Sequence, residues 1–275
     1  MLKRIVSTLI LWSIVVVCIR YFGATGGVWL ITLISALTLR EFYALVERTG
    51  ARPFSRFGIA AGVVITLSPC YIEPHAPLDA GLLLALSAIV LAFRILGERG
   101  PESRVESLGW TLFGLVYVPF MLHYLVGILM VREPRPLSGM LLCVWLIAVS
   151  KFCDTGALLS GLAFGRHKMS PVISPKKTWE GAVGGVLSSA LIGAGLAWLC
   201  RGYLPAALTP ALGALMAVPI AIVTIVSDLV ESVIKRRADI KDTGGTIPGI
   251  GGVFDLSDSL ILSAPLGFVL FKLLL

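Results

Sequence analysis

The sequence predicts an all-α, polytopic integral membrane protein of about nine transmembrane helices. Three observations carry that prediction. Hydrophobic residues make up 57% of the chain and charged residues 14%, with a mean hydropathy of +0.92. Apolar runs of roughly twenty residues recur along the whole length, enough to cross a hydrocarbon core as helices. The Lys and Arg residues sit in short connections and alternate in density from one connection to the next.

Taken in order, Met1 to Arg4 form a short basic start, and an apolar run continues to about Phe22. A second span follows within a few residues. A signal peptide would need a small-residue cleavage site and a polar mature domain, so the first run is read as a retained helix. The other spans are expected at about 27–47, 57–73, 78–97, 108–131, 138–163, 181–200, 208–234 and 255–274. Arg48, Arg52 and Arg56 precede the third span, no Lys or Arg follows it, and Arg94, Arg99 and Arg104 follow the fourth. On this topology Arg20, Arg132, Arg135, Arg201 and Lys272 lie opposite the N-terminus and Lys151 lies within the membrane. All other Lys and Arg share the N-terminal side. The positive-inside rule then places the N-terminus in the cytoplasm, the C-terminus outside, and the loops 164–180 and 235–254 together on the cytoplasmic face.

No internal repeat, low-complexity tract or second soluble domain is visible, so a single membrane domain is expected. Residues 1–135 read as structural, lipid-facing helices, and residues 136–275 as the helices that carry the chemistry. The net charge of +7 sits in inter-span loops, which suits anionic headgroups better than nucleic acid. Cys18, Cys70, Cys143, Cys153 and Cys200 lie in or beside apolar runs without CxxC spacing and read as small buried hydrophobes. His75, His123 and His167 are scattered. Arg40 and Glu41 read as an interfacial ion pair at the end of the second span.

Chemistry concentrates in two stretches. In the first, Lys151 and Asp154 stand three apart on a helix and could simply pair with each other. After them, Ser174-Pro175-Lys176-Lys177-Thr178-Trp179-Glu180 puts two cations beside a helix that Thr178 can cap, which makes an anion site. Lys176 and Lys177 could equally anchor the loop to lipid phosphates. The second stretch runs from Ser227 to Asp258. Asp228 and Glu231 lie three apart at the end of one apolar helix, Asp255 and Asp258 three apart in the next. Between them come Lys235, Arg236, Lys241, Asp242 and glycines 244, 245, 249, 251 and 252. Acids in a membrane span are costly to keep and are functional candidates by default. Asp228, Asp255 and Asp258 are the candidate ligands of a magnesium ion whose shell phosphates would complete. Glu231 is a weaker candidate, because Lys235 one turn on could pair with it. Lys235, Arg236 and Lys241 would neutralise phosphates, and the glycines would admit a close phosphate or a positive φ.

These residues carry a resemblance. The pattern Ser232, Lys235-Arg236, Lys241-Asp242, Pro248-Gly249, Gly251-Gly252, Asp255 and Asp258 resembles the signature of the phosphatidate cytidylyltransferases, the CDP-diacylglycerol synthases. Asp154-Thr155-Gly156-Ala157 and Ser174 to Gly181 resemble that family's preceding block. Together they span about the C-terminal 125 residues; the N-terminal spans match in number and hydropathy only. Two positions depart from the family pattern: Ile250 where a histidine is usual, and Leu256 where an arginine is usual. The resemblance implies CTP and phosphatidic acid as substrates, in-line attack of the lipid phosphate on the CTP α-phosphorus, and loss of pyrophosphate. It implies catalytic roles for Asp228, Asp255, Lys176 and Lys235, with Mg²⁺ held by Asp228, Asp255 and Asp258. Phosphates would lie on Ser174, Lys176, Lys177, Thr178, Lys235, Arg236, Lys241, Gly251 and Gly252, and Asp154, Glu231 and Asp242 are secondary candidates. It further implies a second, monovalent cation such as K⁺, a homodimer, and a place in the inner membrane with the site facing the cytoplasm.

Other classes fit less well. A CTP-dependent polyprenol or phytol kinase would transfer the γ-phosphate and release CDP. An ion-coupled transporter of an anionic solute would keep its charges near the bilayer midplane and show a repeat. A catalytically dead scaffold would be suggested only by Ile250 and Leu256.

Overall fold

The computed structural model describes residues 2–97, 104–240, 243–244 and 251–275. The helices are α1 (Leu2–Arg48), α2 (Ser55–Tyr71), α3 (Ala80–Gly97), α4 (Arg104–Leu115), α5 (Met121–Leu129), α6 (Ser138–Phe164), α7 (Trp179–Leu199), α8 (Pro210–Arg237), α9 (Val253–Ile261) and α10 (Ser263–Leu274). A π-helical turn at Val116–Phe120, carrying Pro119, joins α4 to α5. Among the described residues, seven helical stretches are long and apolar enough to cross a membrane: 20–48, 80–97, 105–129, 138–164, 179–199, 210–237 and 253–274. They coincide with seven of the expected spans.

The other two expected spans are also helical. The first forms the front of α1, which breaks only at Gly23 (φ 57°, ψ −139°) where a connection over 23–26 was expected. A positive φ is cheap for glycine, so the helix restarts within a residue. The third is α2, whose 17 residues rise about 25 Å at 1.5 Å each. The expectation of an all-helical chain gains one addition, an antiparallel hairpin of β1 (Lys168–Ser170) and β2 (Ser174–Thr178). Pro171 and Pro175 fall in and beside this hairpin, and each disfavours helix at the residue before it.

The chain divides into two compact units. The first comprises Met1–Gly127 with Arg237–Ser257. In lipid no hydrophobic force draws helices together, so close packing and hydrogen bonds must do so. Here Phe42 of α1 sits 5.8 Å from Phe113, 6.2 Å from Tyr117 and 6.2 Å from Phe254. Phe254, fully buried at the start of α9, is thereby fixed against α1 and the π-helical turn. Polar side chains add the remaining ties: Thr38 to Ser257 at 2.8 Å, Ser35 to Thr66 at 3.0 Å, and the Tyr43 hydroxyl to the Thr111 carbonyl at 2.9 Å.

The second unit comprises Ile128–Arg236 with Asp258–Leu275. Small residues let its helices approach: Gly156 of α6 faces Ser188 and Gly184 of α7, and Gly193 of α7 faces Gly213 of α8. Ser189 donates to the Val149 carbonyl at 2.9 Å, and the Trp145 indole N–H donates to the Gly193 carbonyl at 2.9 Å. Leu158, Leu162, Val183, Leu187 and Leu191 point outward, a face suited to lipid.

Thr178 caps α7 as its position predicts: its backbone is extended (φ −127°, ψ 154°) and its hydroxyl accepts from the Gly181 N–H at 3.1 Å. Thr178→Ala should therefore cost about 1 kcal/mol, with Thr178→Ser close to the parent. The midpoint of unfolding by denaturant in detergent would show the difference, and an unchanged midpoint for the alanine variant would contradict it.

Candidate active site

In the second unit, α8 carries the sequence Ser227-Asp228-Leu229-Val230-Glu231 in its C-terminal half, so Asp228 and Glu231 share one face. Asp258 of α9 joins them. One carboxylate oxygen from each of Asp228, Glu231 and Asp258 lies within 4.8 Å of the others. Glu231 is fully buried. Its Oε2 lies 2.7 Å from Lys235 Nζ, so the suspected i,i+4 pair forms and Glu231 still belongs to the cluster. Asp228 is ion-paired with Lys177 of β2. Asp258 is fixed twice, its Oδ1 accepting from the Ser259 N–H at 2.5 Å and its carbonyl from the Ser227 hydroxyl.

Lys151 of α6 enters the same cluster. Its Nζ is 2.7 Å from Ser259 Oγ, 3.7 Å from Asp258 Oδ1 and 3.9 Å from Asp154 Oδ2. The expected Lys151–Asp154 contact is thus the longest of the three. Ionised, the carboxylates of Asp154, Asp228, Glu231 and Asp258 outnumber the ammonium groups of Lys151, Lys177 and Lys235 by one. A site with surplus negative charge and only carboxylate donors suits a hard divalent cation such as Mg²⁺.

Asp255 belongs to the first unit and has partners of its own. It is the third residue of α9, where an acidic side chain can reach back to the residue before the helix. Its Oδ2 does so, accepting from the Gly252 N–H at 2.7 Å, the Thr243 N–H at 3.1 Å and the Thr243 hydroxyl at 3.0 Å. The glycines before it are explained by the same contacts. Gly251 has φ 131°, and a Cβ on it would strike the Asp255 carboxylate. A Cβ on Gly252 would meet Thr243 Oγ1 and the carboxylate of Glu41. Carboxylates fill the space that side chains on these glycines would need.

The other predicted site residues are distributed as follows. Lys176 is exposed on β2, Ser174 half-buried on the same strand and Thr178 buried at its end. The Arg236 side chain donates to the Ile173 carbonyl at 3.3 Å, tying the end of α8 to the hairpin. Leu256 lies on α9. Lys241, Asp242, Gly249 and Ile250 lie outside the described residues.

Two residues in these arrangements carried no role in the sequence reading. Thr243 is a loop threonine without a motif. Glu41, read as a partner of Arg40, accepts from the Phe254 N–H at 2.9 Å and lies 3.4 Å from Thr243 Oγ1. The cost of keeping an acid at the end of an apolar span was the signal that could have marked it.

The chain has identifiable relatives. A model of the Cytidylyltransferase family matches residues 2–274. The sequence is 31% identical over 300 residues to the phosphatidate cytidylyltransferase of a Synechocystis strain, covering 99% of this chain and 97% of the relative. It is 32% identical over 269 residues to the protein of that name from Brucella suis, covering 96% of this chain and 90% of the relative. With the one from Mycobacterium bovis the identity is 34% over 178 residues, 65% of this chain and 55% of the relative.

Proposed function

The chain belongs to the Cytidylyltransferase family, and we propose that it transfers the cytidylyl group of CTP to phosphatidate, giving CDP-diacylglycerol and pyrophosphate. The observation that carries this reading is the cluster of Asp228, Glu231 and Asp258, with Glu231 buried, the two aspartates half-buried and lysines on its border. A phosphate oxygen of phosphatidate forms the new bond to the α-phosphorus of CTP. The bond from that phosphorus to the bridging oxygen of the β-phosphate breaks, and its electron pair leaves with pyrophosphate. The attacking oxygen is already anionic, so no strong base is required. Positioning and charge neutralisation carry the catalysis.

Asp228, Glu231 and Asp258 would hold Mg²⁺, with Asp154 as an outer partner through Lys151. When bound, Mg²⁺ neutralises phosphoryl oxygens and stabilises the charge that builds on the leaving group. Lys177 and Lys235 hold the carboxylates Asp228 and Glu231 in place through their ion pairs and would neutralise a phosphate that entered the site. Lys176, Arg236, Lys241, Ser174 and Thr178 supply further phosphate contacts. Asp255 keeps Gly251 and Gly252 in a fixed turn for the nucleotide phosphates. Asp242 stands as a secondary residue.

The spans 5–22 and 57–73 would complete a nine-helix topology with the N-terminus in the cytoplasm, the C-terminus outside and the site open to cytoplasmic CTP in the inner membrane. The family reading also carries a homodimer and a second, monovalent cation such as K⁺.

The test uses the purified full chain in mixed micelles with phosphatidate, Mg²⁺ and CTP labelled at the α-phosphate. Label should enter the lipid phase together with an equal amount of pyrophosphate. Labelled CDP without labelled lipid would replace this reading with γ-phosphate transfer. Absence of both products from folded protein would end it. Turnover would also show that Ile250 and Leu256 are compatible with activity.

A further inference from the structure

We infer that Glu41 is a positioning residue: from α1 it holds the Phe254 N–H in the first turn of α9, and so fixes the Gly251–Gly252 turn that Asp255 caps. The inference rests on the cytidylyltransferase reading for its effect on catalysis, and on geometry alone for its effect on the turn.

The first N–H groups of a helix have no partner inside it. In α9 two of the groups at this end are taken by carboxylates: Gly252 N–H by Asp255, and Phe254 N–H by Glu41. A carboxylate at a helix N-terminus also gains from the aligned peptide dipoles. Thr243 links the two acids. Its hydroxyl lies 3.0 Å from Asp255 Oδ2 and 3.4 Å from Glu41 Oε2, and it has one proton to donate. The shorter contact assigns that proton to Asp255, which leaves Glu41 to the Phe254 N–H. Glu41 also fills the space beside Gly252 that a Cβ there would occupy. Phe254 fixes the same turn from its other end, packed 6.2 Å from Phe42 and 6.3 Å from Tyr117. The backbone of this turn is therefore held from α1 at two neighbouring residues, by an aromatic ring and by a carboxylate.

Charge-assisted hydrogen bonds of this kind are the stronger ones, and losing one changes an equilibrium by about tenfold or more. Glu41→Ala removes the acceptor; Glu41→Gln keeps an acceptor oxygen without the charge. Two measurements on the full chain in detergent test the inference. Hydrogen exchange should speed up by about tenfold at Gly252 and Phe254 in Glu41→Ala and return most of the way in Glu41→Gln. Unchanged exchange in the alanine variant would overturn the positioning role, whatever the protein's activity. In steady-state turnover, Glu41→Ala should raise KM for CTP by about tenfold while kcat and KM for phosphatidate change little, with rescue in Glu41→Gln. Loss of folded protein with an unchanged KM for CTP in the remainder would reduce Glu41 to a structural residue and overturn the inference. A wild-type chain that turns over no CTP would defeat the cytidylyltransferase reading, and the exchange measurement would still decide the role of Glu41.

Discussion

Asp258→Asn is expected to lower cytidylyl transfer on the order of a thousandfold while leaving the protein folded. Asparagine matches the shape of aspartate, so the Ser259 N–H and the Ser227 hydroxyl keep their acceptors. What is lost is one of the three charges that cluster within 4.8 Å. Lys151, 3.7 Å away, then faces the site with its charge less balanced, and that repels a divalent cation further. The variant should show a raised Mg²⁺ requirement as well as a lower maximal rate. The checks are a Mg²⁺ titration of α-labelled CTP turnover and a thermal melt in the same detergent. Turnover near the parent level, at the parent's Mg²⁺ dependence, would remove Asp258 from the metal site. Glu231→Gln should behave differently. Glu231 is fully buried and 2.7 Å from Lys235, so removing its charge breaks a buried ion pair and costs about 3 kcal/mol. That variant should melt lower, whereas Asp258→Asn should not.

How much of this could be read beforehand differs by element. Hydropathy located the seven stretches that the structure makes long enough to cross a membrane, because apolar length is a one-dimensional property. The spacing of Asp228 and Glu231 also transferred directly, since residues three apart on a helix share a face. The same spacing could not separate Asp255 from Asp258. Their partners differ because Asp255 stands third in α9 and folds back on the Gly252 N–H, while Asp258, one turn on, joins the α8 acids. Glu41 was the least legible. Its partner, the Phe254 N–H, is 213 residues away, and only tertiary packing brings them together. The number of glycines in the 244–252 loop pointed to phosphate contact; the packing adds that Gly251 and Gly252 border the carboxylates of Asp255 and Glu41. Helix-to-helix contacts of the second unit rest on small residues, which hydropathy does not register.

Gly193→Val should destabilise the fold by about 3 kcal/mol. A Cβ on Gly193 would lie 2.7 Å from the Gly213 carbonyl oxygen, 3.0 Å from the Ala217 Cβ and 3.1 Å from Trp145 Cζ2. The nearest of these is backbone and cannot rotate away, so α7 must move from α8. The shift also strains the bond from the Trp145 indole to the Gly193 carbonyl, 2.9 Å in the native protein. Gly195, two residues on in the same helix, has nothing within 4 Å of its virtual Cβ. Gly195→Val carries the same change in helix propensity without the clash, and it should melt close to the parent. The pair separates packing from propensity. α8 carries Asp228 and Glu231, and α6, whose Trp145 bonds Gly193, carries Lys151 and Asp154. Displacing α7 should therefore lower turnover as well as the melting midpoint in Gly193→Val. Equal melting midpoints for the two variants would show that the α7–α8 contact yields to a side chain, and would remove close glycine packing as the support of the acidic cluster.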